Sequence, residues 1–211
     1  MGFHASPRNG RTRREAPCRT RPAGRRLGTM YFYAVFLRGV NVGGVKILMK
    51  DLTALLEQAG FSRIRTLLAS GNVVLASEEA DPAAVKTACE AAINSAYGYG
   101  TRVIVQDTAQ LEYLAENYPF VPPNDGIQRH EYLVLTESEE EAANILETAP
   151  EPSDEERVAQ LAHGICWEVP RGQSLDSPLA RHFVKVASKS LVTTRNMNTV
   201  NKMLTALKAL A

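Results

Sequence analysis

Residues 64–76 read IRTLLASGNVVLA and decide the fold of the first half of the chain. Two short runs rich in apolar and β-branched residues, 64–68 and 73–76, flank a turn made of residues 69–72. Gly and Asn in such a turn tolerate the positive φ angles that tight hairpins require. The stretch therefore predicts a β-hairpin.

The segments on either side of the hairpin predict an α+β fold. Residues 31–39, YFYAVFLRG, are typical of a buried strand, and residues 48–59 carry leucines at helical spacing. After the hairpin, Asp81 and Pro82 are typical of a helix start, and residues 101–106 predict a further strand. The order strand, helix, strand, strand, helix, strand is that of the ferredoxin-like split βαβ arrangement.

The rest of the chain predicts a smaller α+β second half. Strands are expected over residues 131–135 and on both sides of His163, and a last helix over about residues 197–210 carries one apolar stripe. We therefore expect a ferredoxin-like subdomain over residues 30–120, followed by a second subdomain over residues 121–211 that ends in a helix.

Residues 1–29 differ in composition from the remainder. They hold eight of the 24 basic side chains and only one of the 23 acidic ones. The rest of the chain therefore has a formal net charge of about −6. Their Arg, Pro and Gly content offers little apolar surface, so we expect a disordered tail that the fold does not need. Three interpretations stay open: a mis-assigned start with Met30 as initiator, a nucleic-acid-binding arm, or an Arg-rich transit segment.

Composition restricts the class of protein. The three cysteines, Cys18, Cys89 and Cys166, lie far apart without CxxC spacing, which favours reduced thiols in the cytoplasm over disulfides or a zinc site. No apolar run reaches the roughly 18 residues that a membrane span needs. The four histidines stand outside the polar motifs, and no carboxylate spacing indicates a metal site, so no cofactor is expected.

Three polar segments are the candidate ligand-binding regions. Each combines small residues with amide, hydroxyl or cationic donors and lacks an acid, which suits an anion. Each could also serve only local geometry, as glycine turns or as a helix cap. The candidate residues are Arg38, Gly39, Asn41, Gly43, Gly44 and Lys46 in the first segment, Ser70, Gly71 and Asn72 in the second, and Thr194, Arg195, Asn196, Asn198, Thr199 and Lys202 in the third.

We expect the three segments to converge on one site, although a ferredoxin-like order does not require it. Asn198 and Lys202 are four residues apart and so share a helical face, and Arg195 is expected to bind ligand with little role in stability. The predicted function is binding of an anionic small molecule, a phosphorylated metabolite or nucleotide. The alternatives are a phosphoryl- or nucleotidyl-handling enzyme that uses Arg38, Lys46 and Arg195, and an RNA-binding module that uses a sheet face.

These segments also carry a family resemblance. LRGVNVGG, SGNVVL and TTRNMNTVNKML, in this order, resemble the bacterial family known as domain of unknown function 1697, over about residues 30–207. Met197 departs from the pattern, because members of that family commonly have an aromatic residue there. The resemblance implies an α+β protein of the cytosol with no established activity, and it supports the position of a site without indicating its chemistry.

Overall fold

A computed structural model describes residues 1–2, 28–38, 47–68, 71–98, 100–121 and 123–211. The described residues form eight strands and six helices. The first half comprises β1 (Tyr31–Leu37), α1 (Met49–Gln58), β2 (Ser62–Leu67), β3 (Asn72–Ser77), α2 (Pro82–Tyr97) and β4 (Val103–Asp107). After α3 (Thr108–Glu116), the second half comprises β5 (Arg129–Leu135), α4 (Glu139–Glu147), β6 (Arg157–Leu161), β7 (Gly164–Pro170), α5 (Pro178–Ala187), β8 (Thr193–Asn196) and α6 (Met197–Lys208).

The first half is a ferredoxin-like subdomain. Its four strands form an antiparallel sheet in the order β2-β3-β1-β4, with β1 at the centre between β3 and β4. The predicted hairpin is present, since Thr66 on β2 pairs with Val73 on β3. The α+β class and the order of elements expected from the sequence are confirmed.

The second half repeats the same order, β6-β7-β5-β8, in a second antiparallel sheet. The strand that completes it is β8, which pairs with β5 through contacts such as Arg195 with Leu133. From the sequence alone, residues 193–196 are expected to lead into the cap of the last helix and not to form a strand, because TTRN contains no alternating apolar residues. Pairing with a buried neighbour outweighs that weak local signal. The second half is therefore more regular than the sequence indicated.

The two sheets enclose a shared helical layer. Side chains on the outer face of the first sheet, such as Val35 and Leu75, pack with α1 and α2, and those on the outer face of the second, such as Trp167, pack with α4 and α5. The inner faces contribute Phe36 and Leu133 to a central core that α3 and α6 fill. Because α6 contacts β1, β2 and β3 as well as β5 and β8, it joins the two halves.

Local chemistry explains several helix ends, including the start predicted at Asp81. Asp81 caps α2 by accepting a hydrogen bond from the Ala83 amide at 2.9 Å, and Gly98 ends that helix at φ 69°. Asn196 caps α6 by accepting from the Asn198 amide at 2.9 Å. None of the described helices is long and apolar enough to cross a membrane.

Two buried cysteines lead to a first testable prediction. Cys89 and Cys166 are both free and fully buried, and burial raises the pKa of each thiol to about 12. Since the thiolate is the reactive species, we expect neither to react with a disulfide reagent such as Ellman's at pH 8 in the native protein. Unfolding the protein in guanidinium should expose both thiols, which should then react within seconds to minutes. Rapid labelling of Cys89 or Cys166 in the folded protein, followed by mass spectrometry of peptides, would contradict this prediction.

Candidate functional site

The Arg195 guanidinium links the end of β8 to the first subdomain. Its Nε donates to Asn72 Oδ1 at 2.8 Å, and its Nη2 donates to the carbonyl of Leu37 at 2.8 Å. Within β8, its Nη1 donates to Thr193 Oγ1 at 2.6 Å and to the carbonyl of Thr194 at 3.0 Å. The planar fork of the side chain is thus held by acceptors from both halves.

Arg38 makes a second link from the same corner. Its Nη1 donates to the Ser190 carbonyl at 2.8 Å, and its own amide donates to the Arg102 carbonyl at 2.9 Å. Next to it, the Leu37 amide donates to the Gly71 carbonyl at 2.7 Å, beside Asn72. The structure therefore brings Arg38, Gly71, Asn72 and Arg195 together around Leu37, at the end of the first sheet.

The environment of Arg195 favours a structural role for it. Burial lowers the pKa of its guanidinium to about 10, so the group stays charged at neutral pH. The charge lies 5.8 Å from the centre of the Phe36 ring, and the acceptor Asn72 is fully buried. Because its guanidinium donates four hydrogen bonds to protein acceptors, few N–H groups of Arg195 remain for a ligand. Contrary to the expectation from the sequence, Arg195 should contribute to the stability of the fold.

Part of the candidate site lies outside the described residues. This applies to Gly39, Asn41, Gly43, Gly44, Lys46 and Ser70. Their role in ligand binding, and the convergence of the full first loop with the other two segments, stay predictions.

A groove between β2 and α6 collects the remaining candidates. We define the β2–α6 groove by Arg65 and Leu67 on β2 and by Asn198, Asn201, Lys202 and Thr205 on α6, and its volume is about 750 Å³. Asn198 and Lys202 line it together, in agreement with their four-residue spacing. Thr199 and Asn196 are half-buried, and Asn196 serves as the helix cap.

Arg65, Asn201 and Thr205 extend the set of candidates derived from the sequence. Ile64 packs with the outer core, so Arg65, the next residue, faces inward toward α6. The sequence alone does not show that an arginine on a β-strand lines a groove, because the helix that packs against the strand is not known from it. Asn201 and Thr205 follow at helical spacing from Asn198, and this periodicity could have identified them.

The charge of the groove distinguishes it from another large cavity. Arg65 and Lys202 are exposed cations, no acid lines the groove, and neither cation forms a salt bridge within the described part of the chain. A cavity of about 490 Å³ beside α4 and the end of α5 instead carries Glu137, Glu140 and Glu141 against a single lysine. An anion is therefore attracted to the groove and repelled from the cavity beside α4.

The described residues contain no group of three or more His, Cys, Asp or Glu side chains close enough to hold a metal ion. His163 lies in the turn between β6 and β7, and His182 contacts the Ile145 carbonyl through Nε2 at 2.9 Å. Neither histidine contacts the groove.

Comparisons with known proteins agree with this fold. A family model described as protein of unknown function (DUF1697) matches residues 30–165. The conserved bacterial protein SP0830 from Streptococcus pneumoniae has a similar structure, with a TM-score of 0.68 and 22% identity over 85% of this chain and 99% of that chain. An unknown protein from Galdieria sulphuraria, with a TM-score of 0.25 and 16% identity over 80% of this chain and 98% of that chain, is too different to support an argument. No protein with a curated description matches.

Proposed function

This chain belongs to the family described as protein of unknown function DUF1697, and we propose that it binds an anionic small molecule, a phosphorylated metabolite or nucleotide, in the β2–α6 groove. The family match covers the first two sequence motifs but ends before the third, which forms β8 and α6. The match includes Arg65 and Leu67 of the groove but none of its α6 wall, and a family of unknown function names no ligand, so the proposal depends on the groove's own chemistry.

One observation carries the proposal: Arg65 on β2 and Lys202 on α6, neither in a salt bridge with any described residue, line the same groove of about 750 Å³. The side-chain amides of Asn198 and Asn201 line the same wall as Lys202, whereas the Thr205 hydroxyl already donates to the Asn201 carbonyl at 2.9 Å. Arginine can donate two parallel hydrogen bonds to a phosphate, and lysine adds a point charge. The volume lies within the range of ordinary small-molecule sites.

The RNA-binding alternative receives less support. It requires an open sheet face on which bases can stack. Instead, the outer face of the first sheet packs against α1 and α2, and the inner face packs against α3 and α6. RNA would have to use another surface, such as the groove itself. The salt dependence of binding does not distinguish RNA from a single nucleotide in that groove. The two are distinguished by the shortest oligonucleotide that still binds.

Neutralising the groove should weaken binding of inorganic pyrophosphate. Arg65→Gln and Lys202→Gln each remove one charge while keeping a polar side chain, so we expect about a five- to tenfold rise in Kd from each, equal to about 1 to 1.4 kcal/mol. Isothermal titration calorimetry at low and moderate salt measures this, and the Kd of the natural protein should rise with ionic strength.

Lys185→Gln is the matched control, because it removes an exposed lysine from α5, outside the groove. It should leave the Kd for pyrophosphate within twofold. If Lys185→Gln weakens binding as much as Lys202→Gln does, the effect is one of overall charge and the proposal of a defined site is wrong. The same calorimetry with ADP then tells whether a nucleoside adds affinity.

A further inference from the structure

A cavity of about 300 Å³ opens between the two subdomains, at the edge of the first sheet that β4 forms. We call it the interface cavity. The first half contributes Val105 and Gln106 of β4 and Lys86 of α2, and the second half contributes Glu137 and His163. Lys86 forms a salt bridge with Glu137 across the gap, so the wall joins both halves.

The free edge of β4 leaves the backbone N–H and C=O of Val105 available to this cavity. The Arg38 amide bonds the Arg102 carbonyl, so in the regular register the backbone groups of Ile104 and Gln106 face β1, whereas those of Val105 face outward. Neither the N–H nor the C=O of Val105 has a hydrogen-bond partner among the described residues.

Two side chains occupy the neighbouring amides that face the same way. On one side, Glu90 Oε1 accepts from the Val103 amide at 2.9 Å, and on the other, Gln110 Oε1 accepts from the Asp107 amide at 3.0 Å. An added β-strand would need several consecutive free groups on the edge. The edge therefore suits a small molecule that contacts Val105 and excludes strand addition.

Gln106 supplies a second and independent polar contact. Its side chain is only 2% exposed, it lines the cavity, and its Oε1 has no hydrogen-bond partner in the part of the chain that the structure describes. A buried acceptor without a partner is rare and costs stability, so its presence beside a cavity points to a group that donates to it.

The charges of the cavity favour a neutral ligand. The Lys86 ammonium is paired with Glu137, and Asp81 is held by the Ala83 amide at the start of α2. With these two acids against one lysine, the wall offers no net attraction to an anion. The interface cavity thus differs in chemistry from the β2–α6 groove, and the inference does not depend on the function proposed for that groove.

We propose that the interface cavity binds a small, neutral, planar molecule with a lactam or imide unit, as in a pyrimidine or purine base. The Val105 N–H donates to the ring carbonyl and the Val105 C=O accepts from the ring N–H. Gln106 Oε1 accepts from a further N–H of the ligand. The molecule then contacts both halves of the protein.

Uracil is the probe, and 1,3-dimethyluracil is its control, because the methyl groups remove both N–H donors while the ring stays planar. In amide-detected NMR of the natural protein, millimolar uracil should shift the Val105 signal in a saturable way. Dimethyluracil should bind at least about tenfold more weakly, as expected when the Val105 carbonyl and the buried Gln106 Oε1 both lose their donors.

Gln106→Leu separates binding from stability. It removes the unpaired acceptor but keeps a side chain of similar size, so the melting temperature should stay equal or rise while the affinity for uracil falls about tenfold. Gln160→Leu, at the exposed position of β6, is the matched control and should leave uracil binding unchanged. No shift of Val105 at millimolar uracil, as when only water fills the cavity, would overturn the proposal, and so would equal binding of the dimethyl compound or an unchanged affinity in Gln106→Leu.

Discussion

A chain that ends at Asn196, and so lacks α6, is expected to lose cooperative unfolding altogether. The truncation removes six buried apolar side chains: Met197, Val200, Met203, Leu204, Leu207 and Leu210. At about 1.5 to 3 kcal/mol for each buried side chain, the loss is roughly 9 to 18 kcal/mol. That equals or exceeds the 5 to 15 kcal/mol by which whole proteins are usually stable. Circular dichroism during heating, together with gel filtration, measures the outcome.

Two substitutions in the intact chain make the truncation interpretable. Leu207→Ala should lower the free energy of unfolding by about 2 to 5 kcal/mol, because it leaves a cavity in the central core. Asn201→Ala, on the exposed face of the same helix, should change it by no more than about 0.5 kcal/mol. If the truncated chain still melts cooperatively near the temperature of the intact protein, α6 does not hold the two sheets together as we describe.

Arg195→Ala is expected to lower the free energy of unfolding by about 3 to 5 kcal/mol. The substitution leaves two fully buried acceptors, Asn72 Oδ1 and the Leu37 carbonyl, without their charged donor. Each buried unsatisfied group costs about 1 to 3 kcal/mol, and the loss of side-chain packing adds to this. Arg195→Lys keeps the charge without the planar fork, so it should recover less than half of the loss.

Urea unfolding monitored by both fluorescence and circular dichroism tests the effect of Arg195. Arg171→Ala is the control, because Arg171 is exposed and, among the described residues, its side chain bonds only Gln128 Oε1 at 2.8 Å. We expect a change of about 0.5 kcal/mol or less in that variant. A loss below about 1 kcal/mol for Arg195→Ala would show that the guanidinium is not needed by the fold, and its role in ligand binding would become the stronger hypothesis.

The sequence predicted the elements whose patterns are local. The hairpin at residues 64–76 and the helix begun by Asp81 both depend on neighbouring residues. The strand β8 was missed, because its four residues are polar or half-buried and are held by pairing with β5. The position of α6 could not be predicted either, since its apolar stripe would look the same on the outside of a sheet.

The candidate site was predictable to a similar extent. The shared face of Asn198 and Lys202 followed from helical spacing, and both line the groove. Arg195, three residues earlier, looked equivalent in composition but belongs to a strand, which turns its side chain toward Leu37 and Asn72. Arg65 and Gln106 lie on strands as well, and only the packing of distant segments shows what their side chains face.

The central place of α6 has a consequence for biosynthesis. The first sheet is complete once Asp107 has been made, yet α3 covers only part of its inner face until α6, about 100 residues after Asp107, leaves the ribosome. At the usual rate of 5 to 20 residues per second, the nascent chain exposes that apolar surface for on the order of 5 to 20 seconds. Translation that stops early would therefore release a half-formed product with an open hydrophobic face, which makes such fragments natural clients of chaperones and proteases.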